Sequence, residues 1–507
     1  FSFEGDFSPK EVILLPKGLT TAITLKEGTL SFSSLGLGFS RLKVLSGAST
    51  LTLDGSIRNK EVRLSTVGVA ELKVLQSFLQ SPLAPEGVRQ EVSRFDNVSG
   101  QAEIHLKWSG ETSDLIHALK EGEIALKGVS FRYQGRPILF SGLEGGIFIT
   151  PERIRGEGLR GRLEGSIVTV SGSISKTQGV GKNRPSMVFR MVSPELALDP
   201  LLPKENEDVG LSFQNLGEWL RKWDLDAVVE LSRGSYRGIR FQDLRGEART
   251  DNGRLRVRTF QFKAAGGDFW SEGWVAPAPT KGIQFEIRPR VSNMEAKAFL
   301  RALTGKGREE KVDVSGRVHV SKVILSGEGN DLQEVKASLN GSLRLECLNG
   351  VIERFNILSK VFSVLNVSQL FKLRFPDLKT KGLPFRSITA SITVKEGVAS
   401  TEDFLVDSDA MRITLVGKVD LKNSTIDARV GVHPLGTVDT VLSHVPIVGY
   451  ILTGKEKAFL SVVSEVKGDL DDPKVEAIPL KSAGEGFLGL LKRLLETPIR
   501  PFQKNEK

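Results

Sequence analysis

With a single cysteine, Cys347, in 507 residues, the sequence can form no disulfide within the chain and no cysteine-built zinc site. Burial and strand ladders must hold the fold. Histidine is almost as scarce: His105, His117, His319, His433 and His444 stand singly, without an HExxH pair or a carboxylate at ligand spacing, and read as surface or turn residues. No metal and no cofactor is expected. Aromatic residues make up 7% of the chain while glycine reaches 52 residues, a balance that suits many short strands joined by turns. Long apolar runs are missing. The longest uncharged stretch, 440–454, is roughly 15 residues and is broken by His444, Pro446 and Gly449, against the roughly 20 that a spanning helix requires. The chain begins at Phe1 rather than methionine, so a fragment or a processed product is expected, with any upstream signal or anchor lost.

Catalytic signatures are missing too. Gly179-Val-Gly181-Lys182 lacks the glycine five residues before Gly181 and has Asn183 where a phosphate loop needs Ser or Thr. No Gly-x-Ser-x-Gly elbow joins a strand to a helix, and Asp471-Asp472 lies in a turn where solvation explains it. An enzyme is therefore not expected. Nor is a nucleic-acid binder: Trp270 and Trp274 sit near Arg256 and Arg258 without a recognised module around them. Net charge is +9, and arginine is dense from Arg233 to Arg258, through Arg237, Arg240, Arg245, Arg249, Arg254 and Arg256, against Asp243, Glu247 and Asp251. A solvated outer sheet face accounts for this, with contact to an anionic headgroup or a nucleic acid as the alternative.

What the sequence does hold is repetition. Ser387–Gly397, SITASITVKEG, alternates Ile388, Ala390, Ile392 and Val394 with polar residues, the period of a strand with one apolar face, and Lys395-Glu396-Gly397 supplies a turn. Gly18–Gly28, GLTTAITLKEG, repeats it in register, with Leu19, Ile23 and Leu25 on the same face and Lys26-Glu27-Gly28 as its turn. Asp54-Gly55 marks another turn. A second repeat pairs SGETSDL (109–115) with SGEGNDL (326–332). A Phe-x-x-aliphatic-x-small pattern recurs at Phe140, Phe241 and Phe385, and each copy leads through a second strand to a third at Gly172, Gly273 and Gly417. Units of this kind cannot close a core alone and bury their apolar faces by stacking side by side.

The expected fold is mainly β with short helices: a long, repetitive, mostly antiparallel sheet curled into an open apolar groove, with amphipathic helices interspersed and at the C-terminal end. Helical spacing appears at 69–80, 211–223, 294–304 and 352–371, and again from Phe487 through Leu490, Leu491 and Leu494. The segment 433–454 interrupts the strands, and 458–466 reads as the last of them. Four segments are expected: 1–98, a β-repeat unit with a helix; 99–314, central β-repeat units with helical interruptions; 315–483, a C-terminal β region; and 484–507, a helix and tail.

From 315 to 480 the chain resembles the AsmA-like family of bacterial envelope proteins, in the C-terminal region of its large AsmA and YhdP-type members. The residues that carry this are Gly350-Val-Ile352, Pro376-Asp377-Leu378, Gly382-Leu-Pro-Phe385, Gly417-Lys-Val-Asp-Leu421, Val445-Pro-Ile-Val-Gly449 running on to Gly454, Val466-Lys-Gly468 and Asp472-Pro473. Upstream, Leu196–Leu201 and the strand unit at 226–275 also look like the family. The resemblance implies a periplasmic protein, anchored in the inner membrane through an N-terminal segment absent from this chain, whose β-groove carries phospholipid toward the outer membrane in support of outer-membrane biogenesis. A periplasmic or outer-membrane protein partner is open, and nucleic acid is not implied. Groove-lining candidates are Leu19, Ile23, Leu25, Ile147, Ile149, Ile388, Ala390, Ile392 and Val394, which in a closed β-core would pack on one another instead; periodicity leaves both open. Phe487, Leu490, Leu491 and Leu494 are candidates for membrane or partner contact, with packing over the end of the sheet as the other reading. The functional alternative is an envelope assembly factor or scaffold binding protein strands at an exposed sheet edge.

Overall fold

A computed structural model describes residues 3–16, 19, 21–82, 84, 86–114, 118–134, 138–176, 184–201, 213–236, 238–251, 253–279, 282–304, 312–364, 382–434, 450–453, 458–479, 482, 484, 487 and 489. Strands dominate, and the helices are few and short. The chain divides into two compact units: Phe1–Leu211 with Trp219–Tyr236 and Gln242–Leu255, and Ser212–Glu218 with Arg237–Phe241 and Arg256–Lys507.

The first unit runs β1 (Glu4–Phe7), β2 (Val12–Leu14), β3 (Ile23–Ser33), β4 (Gly36–Ser46), β5 (Ser49–Arg58), β6 (Glu61–Glu71), helices α1 (Leu72–Gln80) and α2 (Glu86–Val92), β7 (Phe95–Glu111), β8 (Leu119–Tyr133), β9 (Ile138–Ile149), β10 (Arg153–Leu163), β11 (Ser166–Ser175), β12 (Ser186–Ala197) and β13 (Asp224–Tyr236). From β3 to β12 each strand pairs antiparallel with the next, and β1 and β2 both pair with β3. The hairpins are set by residues that accept left-handed backbone: Asn59-Lys60 between β5 and β6 and Glu164-Gly165 between β10 and β11 all have positive φ, the geometry whose twist matches that of the flanking strands. One pair departs from the antiparallel expectation. β12 and β13 are parallel, and such a pair needs a crossover of a dozen or more residues, which 198–223 supplies.

Two turns read from the sequence are something else. Lys26-Glu27-Gly28 and Asp54-Gly55 lie inside β3 and β5, which run on without reversing. At the first, the β3–β4 register shifts on both sides of Glu27 and Gly28 has φ +97°, so the glycine makes a bulge. At the second, a Cβ on Gly55 would stand 2.0 Å from the Arg63 carbonyl oxygen. Lys395-Glu396-Gly397 does reverse the chain. A positive-φ glycine serves a bulge and a turn equally well, so the shared letters carry two different backbones.

Helix α3 (Phe213–Lys222) and strands β14 (Ile239–Asp251) and β15 (Arg254–Ala264) are divided between the units. The second unit continues with β16 (Gly267–Pro277), β17 (Ile283–Ile287), β18 (Arg290–Glu295), α4 (Ala296–Thr304), β19 (Val312–Val314), β20 (Arg317–Gly329), α5 (Leu332–Ser338), β21 (Asn340–Phe355), α6 (Asn356–Val364), β22 (Leu383–Lys395), β23 (Val398–Asp407), β24 (Met411–Asp420), β25 (Thr425–Pro434), β26 (Tyr450–Thr453), β27 (Ala458–Asp469) and β28 (Lys474–Ile478). β17 and β18 both pair with β16 on one side and β20 on the other. The order then runs β20, β21, β22, β23, β24, β25, β27, β28, all antiparallel, with β26 on the start of β27. The helix expected over 352–371 begins only at Asn356, because Ile352–Phe355 complete β21; 365–381 lie outside the described residues. β28 follows the strand that the sequence marks as the last.

This second sheet is curled. Six inter-strand spacings of about 4.8 Å separate β21 from β28, roughly 29 Å if flat. Helix α6 starts at the end of β21, yet its Lys360 ammonium bonds to the Asp472 carboxylate and donates to the Pro473 carbonyl at 3.0 Å, just before β28. Lys360 is the fifth residue of α6 and so about 6 Å along the helix, at 1.5 Å per residue; even with its extended side chain it falls well short of 29 Å. The stretch from β21 to β28 must therefore curl so that the C-terminal end of β21 and the start of β28 approach each other.

A candidate lipid-facing wall

Residues opposite one another in a ladder share a face, so the registers assemble the strands' apolar positions into rows. In the first unit one row crosses twelve strands, β2 to β13, as Val12, Leu25, Val44, Leu51, Gly68, Ile104, Ile124, Ile147, Gly156, Gly172, Phe189 and Ala227. It contains no polar side chain. At about 4.8 Å per strand it extends on the order of 50 Å along the sheet. A second row, two residues along each strand, reads Leu42, Leu53, Thr66, Leu106, Gly122, Ile149, Ile154, Ile174, Met187 and Leu225, with one buried hydroxyl its only polar group. Further rows on this face carry Phe7, Leu30 and Phe39, then Phe32, Leu37 and Ile57.

The opposite face carries the charged side chains, with Val67, Ile167, Val188 and Val192 exposed among them. Lys107 pairs with Glu121 across β7 and β8 at 2.7 Å, Lys127 with Glu103, and Arg190 with Glu230. The Lys107 ammonium holds the exposed Glu121 carboxyl below its ordinary range. Arg233, Arg245 and Arg249 pair with Glu195, Glu247 and Asp226, as a solvated outer face requires.

Part of the apolar wall is packed and part is bare. Ala70, Ala102 and Ile104 form a buried cluster with Leu51, Leu72 and Leu106 against it. Farther along, Ile154 is 45% exposed and Ile174 38%, and Phe32 and Leu37 near the first strands are 39% and 42% exposed.

In the second unit the corresponding row is closed. Met294, Val318, Cys347, Ile388, Val406, Ile413, Val432 and Val462 follow one another across eight strands, and none is more than 9% exposed. Burial pushes the Cys347 thiol up to about 11.

Of the lining candidates from the sequence, Ile23 and Leu25 pair with Leu14 and Val12, and Ile147 and Ile149 lie in the two long rows of the first unit. Leu19 precedes β3, half-buried, its N–H donating to the Pro16 carbonyl at 3.1 Å. Ile388, Ala390 and Val394 are buried in the second unit and Ile392 is half-buried. The lining candidates include no residue of β7 or β11, although Ala102, Ile104, Leu106 and Trp108 alternate as cleanly as the chosen strands.

Phe487 is 2% exposed and packs on Val463, Val416 and Ile478, on the face opposite the buried row. It has the place of the end-of-sheet packing that the sequence left open, while Leu490, Leu491 and Leu494 lie outside the described residues. A Cβ on Gly431 would stand 2.6 Å from the Phe487 ring, so glycine at that position makes room for it. Beside it is His433, read from the sequence as a surface or turn residue. It is a buried residue of β25 instead, 3.0 Å from the Thr414 hydroxyl, and burial, with the Arg412 charge adding to it, lowers its pKa to about 4. A lone histidine in the sequence carries no sign of what covers it. His117 and His444 lie outside the described residues, as does the 179–182 glycine stretch. Among the described residues no helix is long and apolar enough to cross a membrane, and no group of three or more His, Cys, Asp or Glu side chains could hold a metal ion.

The sequence model of the family described as YhdP protein matches residues 251–475. Protein AsmA of Escherichia coli is 20% identical over 361 residues, 66% of this chain and 56% of AsmA. The intermembrane phospholipid transporter YhdP of the same organism is 29% identical over 204 residues, 35% of this chain and 16% of YhdP. The chain thus spans just over half the length of one relative and about a sixth of the other. No solved structure matches. A strand-dominated fold built from side-by-side ladders, the match over 251–475 and likeness to both relatives together support an AsmA/YhdP-type protein.

Proposed function

We propose that the chain carries phospholipid without chemical change, its acyl chains lying on the apolar wall of the first unit and its headgroup in water. The row of twelve strands without a polar side chain carries this reading, because a wall that long, bare over part of its length, offers an acyl chain continuous cover and selects no headgroup. A 16-carbon chain exposes about 15 methylenes, each worth roughly 0.8 kcal/mol, so crossing water unaided opposes transfer by about 12 kcal/mol per chain. The relative named as an intermembrane phospholipid transporter supports phospholipid as the cargo. In this reading the protein works in the periplasm between inner and outer membranes, held at the inner one.

Native mass spectrometry of the purified chain is expected to show bound phospholipid, and p-benzoylphenylalanine at position 189, in the long row, to crosslink to acyl chains. A chain that purifies bare and labels no lipid at that position refutes the reading.

A further inference from the structure

The second unit carries an apolar wall of the same composition as the first, yet its buried row is closed to solvent over eight strands. Six of those eight strands belong to the curled stretch from β21 to β28, and the described tie across that curl is α6. Its Val361 is fully buried, while Lys360 reaches from the β21 end to Asp472 and Pro473 at the head of β28.

The polar part of this tie suits repeated opening, and burial of Val361 is what release must overcome. The Lys360–Asp472 pair is solvent-accessible on both sides, at 38% and 86%, and exposed pairs of this kind hold weakly. β28 has five residues and, among the described strands, pairs only with β27. Moving it disturbs one short ladder and the packing of Ile478 on Phe487, and leaves the ladders from β21 to β27 intact.

We propose that α6 is a clasp: while it holds β28 to the end of β21 the second wall is shut, and its release opens that wall to the acyl chains of a phospholipid. The inference rests on the lipid-carrying reading of the first wall and adds to it a point of control at which lipid enters or leaves the second.

The test locks the clasp in the full chain. Lys360→Cys and Asp472→Cys are joined by a short bismaleimide, and p-benzoylphenylalanine at position 404, which faces Leu415 on the closed wall, reports acyl-chain access to the second unit. Cys347, whose thiol lies on the wall that opening would uncover, is replaced by alanine in every variant so that only the two new thiols react. Locked protein is expected to label at least tenfold less phospholipid at position 404 than the same variant left unjoined, with labelling at position 189 unchanged. Lys360→Ala, which frees the clasp without crosslinking, is expected to raise labelling at position 404 severalfold. Equal labelling at 404 in locked and unlocked protein, or no rise in Lys360→Ala, overturns the clasp while lipid at position 189 keeps the lipid-carrying reading standing. A chain with no lipid at position 189 overturns both.

Discussion

Placing one carboxylate on each face of the same pair of strands separates a lipid-bearing wall from an ordinary sheet surface. Ile154 in β10 lies between Ile149 and Ile174 on the apolar side and is 45% exposed. Ile167 in the adjacent β11 is opposite Arg162 on the polar side and is 38% exposed. Both sites are open enough for Ile→Asp to fold, so stability offers little to distinguish them. Ile167→Asp gains an arginine neighbour. Ile154→Asp puts a charge where an arriving acyl chain must strip its water, a desolvation that costs about 3 kcal/mol at full cover on membrane-insertion scales, and about half that at a site partly open to solvent. Since 1.4 kcal/mol is a tenfold change in an equilibrium constant, lipid occupancy is expected to fall about tenfold to a hundredfold in Ile154→Asp and to stay within twofold in Ile167→Asp. The assay is phospholipid transfer between donor and acceptor vesicles, with bound lipid counted by native mass spectrometry. Equal loss in both variants, or none in Ile154→Asp with the fold retained, refutes the assignment of the wall.

Other consequences of the geometry are measurable in the same protein. His433 titrates at about 4 when folded against an ordinary 6.5, so the unfolded chain binds the extra proton between those values and stability falls as pH drops through that window, by up to roughly 3 kcal/mol at 1.36 kcal/mol per unit. Denaturant unfolding at pH 7 and pH 4.5 should show it, and His433→Asn should flatten that slope; an unchanged slope removes His433 as its source. Gly431→Ala should cost about 1–3 kcal/mol by driving a methyl against the Phe487 ring at 2.6 Å and against His433 and Thr414 at 2.9 Å, and the part due to the ring should vanish in a Phe487→Ala background, so strict additivity in the double-mutant cycle argues against the socket. Asp331 accepts from the Gln333 and Glu334 N–H groups at 2.8 and 2.9 Å at the head of α5, so Asp331→Ala should lower stability by about 1 kcal/mol and Asp331→Ser by much less, whereas equal effects of the two would point away from capping.

How much of this was legible in the sequence depends on whether a feature is local. Ile388, Ala390, Ile392 and Val394 announce a strand because period-2 alternation belongs to the strand itself, and the three-strand units after Phe140, Phe241 and Phe385 follow in the same way. The glycines after Lys26-Glu27 and after Lys395-Glu396 were not separable, since a positive φ is demanded equally by a bulge and by a reversal and only the neighbouring ladder decides which forms. The parallel step from β12 to β13 was hidden because no residue type marks a strand that returns in the same sense. His433 and Phe487 were misplaced or left open for a related reason: each is buried by residues far away in sequence, Thr414 and Val463, that carry no local signal.

The open and closed walls make the same point about function. Ile154 and Ile413 are both isoleucines on the apolar faces of glycine-bearing strands, one 45% exposed and the other 2%. Nothing in the alternation of either strand sets them apart, because alternation reports only which side of a ladder a residue takes. Under the clasp proposal, exposure in the second unit turns on a contact between a lysine on the helix after β21 and an aspartate beside β28, more than 100 residues later. An open and a closed wall are therefore both compatible with one sequence pattern, and the contacts that would separate them lie outside the alternating positions.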